Sequence, residues 1–335
     1  METRKIQQVG SGTFTVSIPA DWAAAHDIEA GSTAYLYTHR DGSLVVRWNE
    51  RDQSDLATTD IEASGLDPAA TARTLVTAYG AGFSTIRLHA PGGLSDAQRR
   101  AVHTRARDLT GVEVTDESAE AVVVRGLLNT GDVSVRQSTI QLQYVTLSMF
   151  ESALDCLTGE TPSQHVVDRD DDADRLFWLL ARHFNRSLQN MIELDRLGLT
   201  RSELFTYFAT ARQFERIADH AVTIARSVDH RDHSVSEALA TETRALGMDA
   251  RQVVETASKA IVDDRASGPH DSIEAAERVV RAARRLDDTL IDRAPRDASL
   301  VARVLDSVIR TAECGANIAA LALRRSLAED SGPRS

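Results

Sequence analysis

Two carboxylates occupy the face of a predicted helix that should point into the protein core. Residues 211–225 repeat apolar or small side chains every three or four positions, which predicts one buried stripe along an α-helix. Glu215 falls within this stripe and Asp219 lies one turn further on. Since a buried carboxylate is costly unless a cation meets it, we expect either a metal ion or arginine partners beside this pair.

A second acidic pair is predicted to face the first. The preceding helix has an apolar stripe that contains Phe177, Ala181, Phe184, Leu188 and Met191. Extended towards the N-terminus in steps of three or four residues, this stripe reaches first Asp174 and then Asp170. A loop near residues 196–200 should join the two helices as an antiparallel hairpin. Counting equal distances from that loop places Asp174 opposite Glu215 and Asp170 opposite Asp219. Such an oxygen-rich group suits a hard or borderline cation.

The neighbouring acids have a simpler interpretation. Asp168, Asp171 and Asp172 stand at the expected start of the helix, where carboxylates face solvent and interact favourably with the helix dipole. We therefore assign these three a solvated role, and we reserve a buried polar or metal-binding role for Asp174 and Glu215 with their partners.

These acidic motifs resemble the paired E(D)xxxD motifs of the PhoU family of phosphate-uptake regulators. Here they read Asp170-xxx-Asp174 and Glu215-xxx-Asp219. The surrounding Glu-Arg-Ile-Ala-Asp-His and Thr-Ile-Ala are similar to the family's signature helix, which usually carries Asn where Thr223 stands.

The resemblance covers roughly residues 133–330 and implies a helical architecture. PhoU proteins consist of two tandem three-helix bundles, which would occupy residues 133–230 and 231–330 here. The resemblance further implies that Asp170, Asp174, Glu215 and Asp219 bind transition metal ions of the iron or zinc type.

The C-terminal half repeats this plan with one acid missing. Aligning the two signature segments replaces Glu215 by Ile309 and Asp219 by Glu313, while Asn317 restores the family's Asn. Equal counting from a turn near Pro295 gives a degenerate second site that would consist of Glu277, Glu313 and Asn317, with Arg281 nearby. A guanidinium can supply the charge that a metal would have supplied, so we expect this second site to bind metal weakly or not at all.

Residues 1–50 form a different kind of domain. Phe14, Val16 and Ile18 alternate as in a β-strand, Pro19 can open a short helix, and Asp41-Gly42 predicts a hairpin turn. This order is similar to the AbrB/SpoVT swapped-hairpin domain, in which two chains interlock and basic residues on the shared sheet contact DNA. The resemblance implies a homodimer that binds a DNA operator, and the candidate DNA contacts are Arg4, Lys5, Arg40 and Arg47.

The charge of this domain leaves a second interpretation open. Residues 1–50 contain four basic and six acidic residues, which is no basic footprint for nucleic acid. A segment this short cannot bury a core alone, so a role in dimerisation without DNA contact also fits.

Two further segments precede the helical part. Residues 51–66 are polar and are interpreted as a linker. Residues 67–130 alternate helix and strand patterns, which predicts a small α/β domain. Its glycines lack the Lys and Ser/Thr of a phosphate-binding loop and are interpreted as turns. We expect an interaction or spacer module.

Composition limits the remaining possibilities. No apolar run approaches the ~18–20 residues that a membrane span needs, and the N-terminus lacks a signal pattern, so we expect a cytoplasmic protein without membrane insertion. The net charge is −12, and Lys5 and Lys259 are the only lysines. This acidic, lysine-poor composition is similar to that of cytosolic proteins from salt-loving archaea. High internal salt would screen phosphate attraction, which weakens the charge argument against DNA binding.

The sequence therefore predicts a multidomain protein with an N-terminal all-β swapped hairpin, a small α/β middle domain and a C-terminal all-α PhoU-like pair of three-helix bundles. Two function classes remain open. One is a DNA-binding transcriptional regulator with a metal-binding PhoU-like sensory part. The other is a dimeric interaction protein that restrains a phosphate transporter ATPase or a signalling kinase without binding DNA. An enzyme is not expected, because a di-iron oxidase would need Glu-xx-His motifs and the chain contains none.

Overall fold

The N-terminal segment consists of two small hairpins and a short helix. The computed structural model describes residues 3–39, 42–48, 56–128, 130–229, 235–263 and 268–330. The first elements are β1 (Gln7–Val9), β2 (Thr13–Thr15), α1 (Ala20–Ala25), β3 (Tyr35–Thr38) and β4 (Leu44–Arg47). β1 pairs with β2 and β3 with β4, both antiparallel. This strand–strand–helix–strand–strand order is the one that the sequence predicts.

The segment has no core of its own within one chain. None of the described residues between 3 and 48 is buried. Instead, its apolar side chains are exposed, among them Ile6, Val9, Phe14, Val16, Leu36 and Leu44. Exposed apolar surface of this kind is typical of interaction sites.

A four-stranded sheet with two helices follows. Its elements are β5 (Thr58–Glu62), α2 (Pro68–Ala81), β6 (Thr85–His89), α3 (Asp96–Asp108), β7 (Val112–Glu117) and β8 (Ala121–Gly126). The strand order is β5-β6-β8-β7; β5 is parallel to β6, and the other neighbours are antiparallel. The core of this domain centres on Leu75, Tyr79, Ile86, Leu88 and Val102.

The prediction that residues 51–66 are a linker is wrong for residues 58–62, which form β5. The sequence does not show a run of apolar residues here because the strand lies at the edge of the sheet, where one of its faces is exposed and carries Asp60. Arg87 on β6 donates to Asp60 at 3.0 Å on that face. The α/β domain therefore begins before residue 67. Residues 51–55 lie outside the described residues.

Local signals fix the helix ends in this domain. The Asp67 side chain accepts a hydrogen bond from Ala70 N at the start of α2, and Gly82 ends that helix with a φ of 107°. Ser95 and Gln98 form a capping box at the start of α3. The Gln98 amide also donates to the carbonyl oxygens of Ala63 and Leu66, which ties α3 to the chain between β5 and α2.

The rest of the chain is helical, as predicted. The elements are α4 (Val135–Asp155), α5 (Ser163–Val167), α6 (Asp170–Gln189), α7 (Met191–Leu197), α8 (Arg201–Asp229), α9 (Glu237–Val262), α10 (Pro269–Asp287), α11 (Leu290–Arg293) and α12 (Ala298–Asp330). Each half contributes three long helices, and both halves share one continuous apolar core. Among the described helices, none combines the length and the apolar character that crossing a membrane requires.

The α/β domain is packed directly against the first half of the helical part. Trp178 on α6 contacts the apolar cores of both. The approach is close at Gly80 of α2, where a Cβ atom would lie 2.7 Å from the Trp178 ring. The interface therefore leaves no room for a side chain at position 80, so α2 and α6 pack closely at this point.

Candidate functional site

The helix pair α6 and α8 brings the two predicted acidic pairs together. Ring contacts between Phe184 and Phe205 and between Phe177 and Phe208 show that the helices run antiparallel. The four acids Asp170, Asp174, Glu215 and Asp219, hereafter the acidic cluster, lie beyond Phe177 towards the start of α6. The Glu215 side chain is 21% exposed and that of Asp174 is 33% exposed, so both are partly removed from water.

The carboxylates of the acidic cluster act on one another electrostatically. Burial and the charge of Asp219 raise the pKa of Glu215 to about 7, and Asp174 contributes in the same direction. Burial and the charge of Asp170 raise the pKa of Asp174 to about 6. Burial also raises the pKa of Asp170 and of Asp219, and the nearby Asp219 adds to the effect at Asp170. At neutral pH the cluster therefore holds repelling charge that a cation would relieve.

Arginines meet part of this charge. Arg105, on α3 of the α/β domain, donates to Asp171 at 3.1 Å and to Asp174 at 3.4 Å. Arg212 on α8 lies 3.7 Å from Glu215. Arg105 acts to lower the pKa of Asp174 and Arg212 that of Glu215, but burial and acid–acid repulsion outweigh them. The contact from Arg105 is not foreseen by the sequence, because α3 lies more than sixty residues before α6.

The acids are close enough to repel, but they are not arranged as ligands. Within the part of the chain that the structure describes, no group of three or more His, Cys, Asp and Glu side chains could hold a metal ion. The donor chemistry nevertheless fits a hard or borderline cation, because every member of the cluster offers carboxylate oxygens and their pKa values are raised. Metal binding here would require rotation of these side chains.

The predicted second site is open to solvent. The Glu277 side chain is 61% exposed and accepts a hydrogen bond from Arg281 one turn along α10 at 3.3 Å. Glu313 is exposed on α12, and the exposed Asn317 donates to Gln213 of α8 rather than to an acid. Arg281 therefore places a positive charge beside Glu277, and among the described residues no hydrogen bond or ion pair is seen between Glu277 and Glu313.

His220 lies at the contact between α8 and α12 rather than on an open surface. Burial lowers its pKa, and the positive charges of Arg310 and Arg216 act in the same direction. Its Nε2 is buried and has no hydrogen-bond partner among the described residues. His220 is partly buried because the two signature helices α8 and α12 pack against each other.

A buried polar network that the sequence did not reveal joins α6 to α7. Glu193, fully buried at 0% exposure, accepts hydrogen bonds from His183 Nδ1 at 2.7 Å and Arg186 Nε at 3.2 Å. The Thr130 hydroxyl also donates to Glu193, at 3.1 Å. His183 and Arg186 hold the pKa of Glu193 below its usual value although burial opposes this. The available signal was the pair of polar residues Arg182-His183 within the otherwise apolar run of residues 176–184.

The predicted DNA-contacting residues lie at separate places in the N-terminal segment. Arg4 and Lys5 are exposed before β1, and Arg47 ends β4, where it faces Tyr35 across the hairpin. Arg40 lies outside the described residues. This segment contacts the helical part where His39 Nδ1 lies 3.5 Å from Asp195 of α7.

The comparisons with known proteins match the region that holds the acidic cluster. A search of the curated proteins finds no match to the chain. Residues 139–228 match the family model described as PhoU domain. The match runs from α4 through α8 and includes all four acids of the cluster. The first helical half of this chain is therefore similar to a PhoU domain.

Proposed function

We propose that this protein is a cytoplasmic regulator of phosphate uptake in which the acidic cluster binds a divalent transition metal ion of the iron or zinc type. The PhoU domain at residues 139–228 indicates phosphate-uptake regulation. The observation that carries the proposal is the partly buried pair Asp174 and Glu215 on the antiparallel helices α6 and α8. Burial raises the pKa values of all four acids of the cluster, which is consistent with a cation there. The proposed role is regulatory rather than enzymatic.

The N-terminal segment is proposed to form a DNA-binding homodimer of the swapped-hairpin type. Its strand order and its uncovered apolar side chains support a second copy as the covering surface. A dimer would also bring together two sets of the candidate DNA contacts Arg4, Lys5, Arg40 and Arg47. The partner of the helical part would be a phosphate transporter ATPase or a signalling component.

A structural connection supports coupling between these parts. α7 carries Glu193, which is bonded to α6, and also Asp195, which faces His39 of the N-terminal segment. A shift of α6 on metal binding would therefore reach β3 through one short helix. Small shifts of packed helices can transmit binding at one site to another.

Metal content tests the first part of the proposal. Purified wild-type protein should contain metal, and Glu215→Gln/Asp219→Asn should lose most of it, because both removed charges belong to the cluster. The matched control is Glu277→Gln/Glu313→Gln in the second half, which should retain the wild-type content. Equal metal content in all three proteins would contradict the proposal.

Light scattering and a gel shift test the second part. Phe14 is 69% exposed on β2, so Phe14→Asp should weaken the dimer, whereas Ile291→Asp on the exposed side of α11 should not. The gel shift would use the DNA upstream of the chain's own gene at molar salt. A dimer that never shifts this DNA favours the alternative function, an interaction protein without DNA binding, which the acidic balance of residues 1–50 also supports.

A further inference from the structure

A small cavity lies where the α/β domain meets the PhoU domain. Its volume is about 60 Å³, which is room for more than a single water molecule but not for a nucleotide. The α/β side contributes hydroxyls and close backbone at Ser84, Thr110, Gly111 and Gly126, and the helical side contributes Arg182, His183 and Arg186. The cavity is therefore polar, positively charged and shared by two domains.

Arg182 brings a buried positive charge to this cavity. Its side chain belongs to a residue only 9% exposed, and its Nη1 donates to the carbonyl oxygens of Tyr79 at 2.9 Å and Phe83 at 2.8 Å. These main-chain acceptors satisfy hydrogen bonds without neutralising the charge. Burial lowers the Arg182 pKa to about 10. A buried guanidinium facing neutral groups is stabilised by an anion.

Arg186 adds a second positive charge that is only partly neutralised. Its Nε donates to Glu193, while its Nη1 donates to Gly82 O and to Ser84 Oγ. Glu193 therefore provides one negative charge against the two guanidinium groups of Arg182 and Arg186. The cavity retains an excess of positive charge.

His183 supplies the observation that points to a ligand. Its side chain is 4% exposed, and its Nε2 is buried without a hydrogen-bond partner among the described residues. Nδ1 is the nitrogen that faces Glu193, and an ionised carboxylate can only accept, so Nδ1 carries the hydrogen. In the neutral ring, Nε2 is then an acceptor that lacks a donor. Buried polar atoms of this kind are normally satisfied, which calls for a donor in the cavity.

We propose that this junction cavity binds a small tetrahedral oxyanion and that hydrogen phosphate is the one it fits best. The anion's oxygens would accept from Arg182 and from the hydroxyl groups of the lining, and its own P–OH would donate to His183 Nε2. Sulfate carries no such proton near neutral pH and would leave Nε2 without a donor. The site lies apart from the acidic cluster, whose charge would repel an anion.

The proposal deepens the proposed function by naming a signal, and its regulatory meaning rests on that function. A bound anion would connect α6 of the PhoU domain to the end of β8 and the start of β6, so its binding would report phosphate to the domain junction. The binding site itself is tested with the purified full chain, without DNA or transporter. Failure to bind phosphate would thus leave the metal and DNA tests of the proposed function standing.

Equilibrium dialysis with inorganic phosphate, with sulfate in a parallel arm, tests the site. Wild-type protein should bind one phosphate per chain and bind sulfate about tenfold more weakly, which corresponds to one lost hydrogen bond. His183→Asn keeps a donor towards Glu193 and removes Nε2, so it should lower phosphate affinity by about tenfold and leave sulfate affinity nearly unchanged.

A steric variant with a matched control separates the cavity from the fold. In Gly126→Ala the new methyl would lie 3.1 Å from Arg182 Nη2 and should reduce the binding of both anions. Gly131→Ala is the control, because a Cβ there meets no atom within 4 Å. Circular dichroism of each variant verifies folding, and His183→Asn provides the independent test if Gly126→Ala does not fold.

Three results of these binding measurements would overturn the proposal. If wild-type protein binds neither anion at concentrations up to about 10 mM, the cavity is not an oxyanion site. If Gly126→Ala and His183→Asn bind phosphate as wild type does, the anion binds elsewhere. Equal affinity of wild type for sulfate and phosphate would overturn the assignment of hydrogen phosphate.

Discussion

The two helical halves share one architecture, but their acidic side chains lie in opposite environments. In the first half, α6 and α8 hold partly buried carboxylates whose pKa values are raised. In the second half, Glu277 on α10 is 61% exposed and bound to Arg281 on its own helix. The α/β domain packs on α6 through α2 and α3. Raised carboxylate pKa values thus occur in the half that the α/β domain covers, whereas the second half, which lacks one acid of the motif, keeps Glu277 in solvent.

The short helices after α6 and α10 show the same contrast. Glu193 occupies the third position of α7 and is fully buried with three hydrogen-bond partners. Asp292 occupies the third position of α11 and is exposed. The acid at this position of the repeat is therefore the buried acceptor of a hydrogen-bond network in the first half and a solvated side chain in the second.

Replacement of Glu193 should have the largest effect on stability. Glu193→Ala would leave His183 and Arg186 without their buried carboxylate, which should lower the free energy of unfolding by about 3–5 kcal/mol. Asp292→Ala, at the same position of the other repeat, should change it by less than about 0.5 kcal/mol. Urea unfolding of both variants measures the difference, and similar losses would show that the contrast between the halves is not energetic.

A methyl group added to α12 should have the next largest effect. A Cβ at Gly315 would lie 2.7 Å from Val253 Cγ1 and 3.1 Å from Val254 N, so Gly315→Ala should destabilise the protein by about 1–3 kcal/mol. The aligned position in α8 is Ala221, which is already fully buried. Ala221→Gly should therefore be destabilising as well, in this case through a lost contact and a more flexible backbone. Thermal unfolding that shows Gly315→Ala to be neutral would contradict the close approach of α9 and α12.

The acidic cluster should make stability depend on pH in the metal-free protein. The pKa of Glu215 is about 7 in the folded chain against an ordinary value of 4.5. Because the folded pKa is raised, the stabilisation is fully present below about pH 4.5 and is lost as the pH rises through 7. Between pH 5 and pH 8, wild-type protein should thus lose about 2 kcal/mol of unfolding free energy that Glu215→Gln retains.

The matched control for this titration lies in the other repeat. Glu277→Gln removes an exposed carboxylate that already has an arginine partner, so its pH profile should follow that of wild type. Unfolding by urea at several pH values, after treatment with a chelator, provides the measurement. A Glu215→Gln profile that is parallel to wild type would mean that Glu215 is already ionised without penalty, which would remove the basis for a cation there.

Much of this organisation follows from the sequence, and the exceptions share a cause. Stripe periodicity placed Asp174 and Glu215 on facing helices, because residues on one helix face can be read from local spacing. Spacing could not reveal Arg105 or the cavity at Arg182, because both depend on how a separate domain packs on α6. β5 was missed because an edge strand such as Thr58–Glu62 keeps one polar face. Contacts between domains are not encoded in the periodicity of either one.

The smallest predicted effect concerns the arginine that crosses from the α/β domain to the cluster. Arg105→Gln should lower stability by about 0.5–1 kcal/mol at pH 8, because its pairs with Asp171 and Asp174 are partly exposed. At pH 5 the loss should be smaller, because the pKa of Asp174 is about 6 and its carboxyl is then mostly protonated. Arg278→Gln, which removes an arginine 4.0 Å from Glu274 on α10, should change stability little at either pH. In the double variant Arg105→Gln/Asp174→Asn the pH-dependent part of the loss should disappear, since the charge that Arg105 meets is gone. A loss from Arg105→Gln that is equal at both pH values would show that this side chain acts by packing, and the electrostatic contrast between the two halves would then rest on the cluster alone.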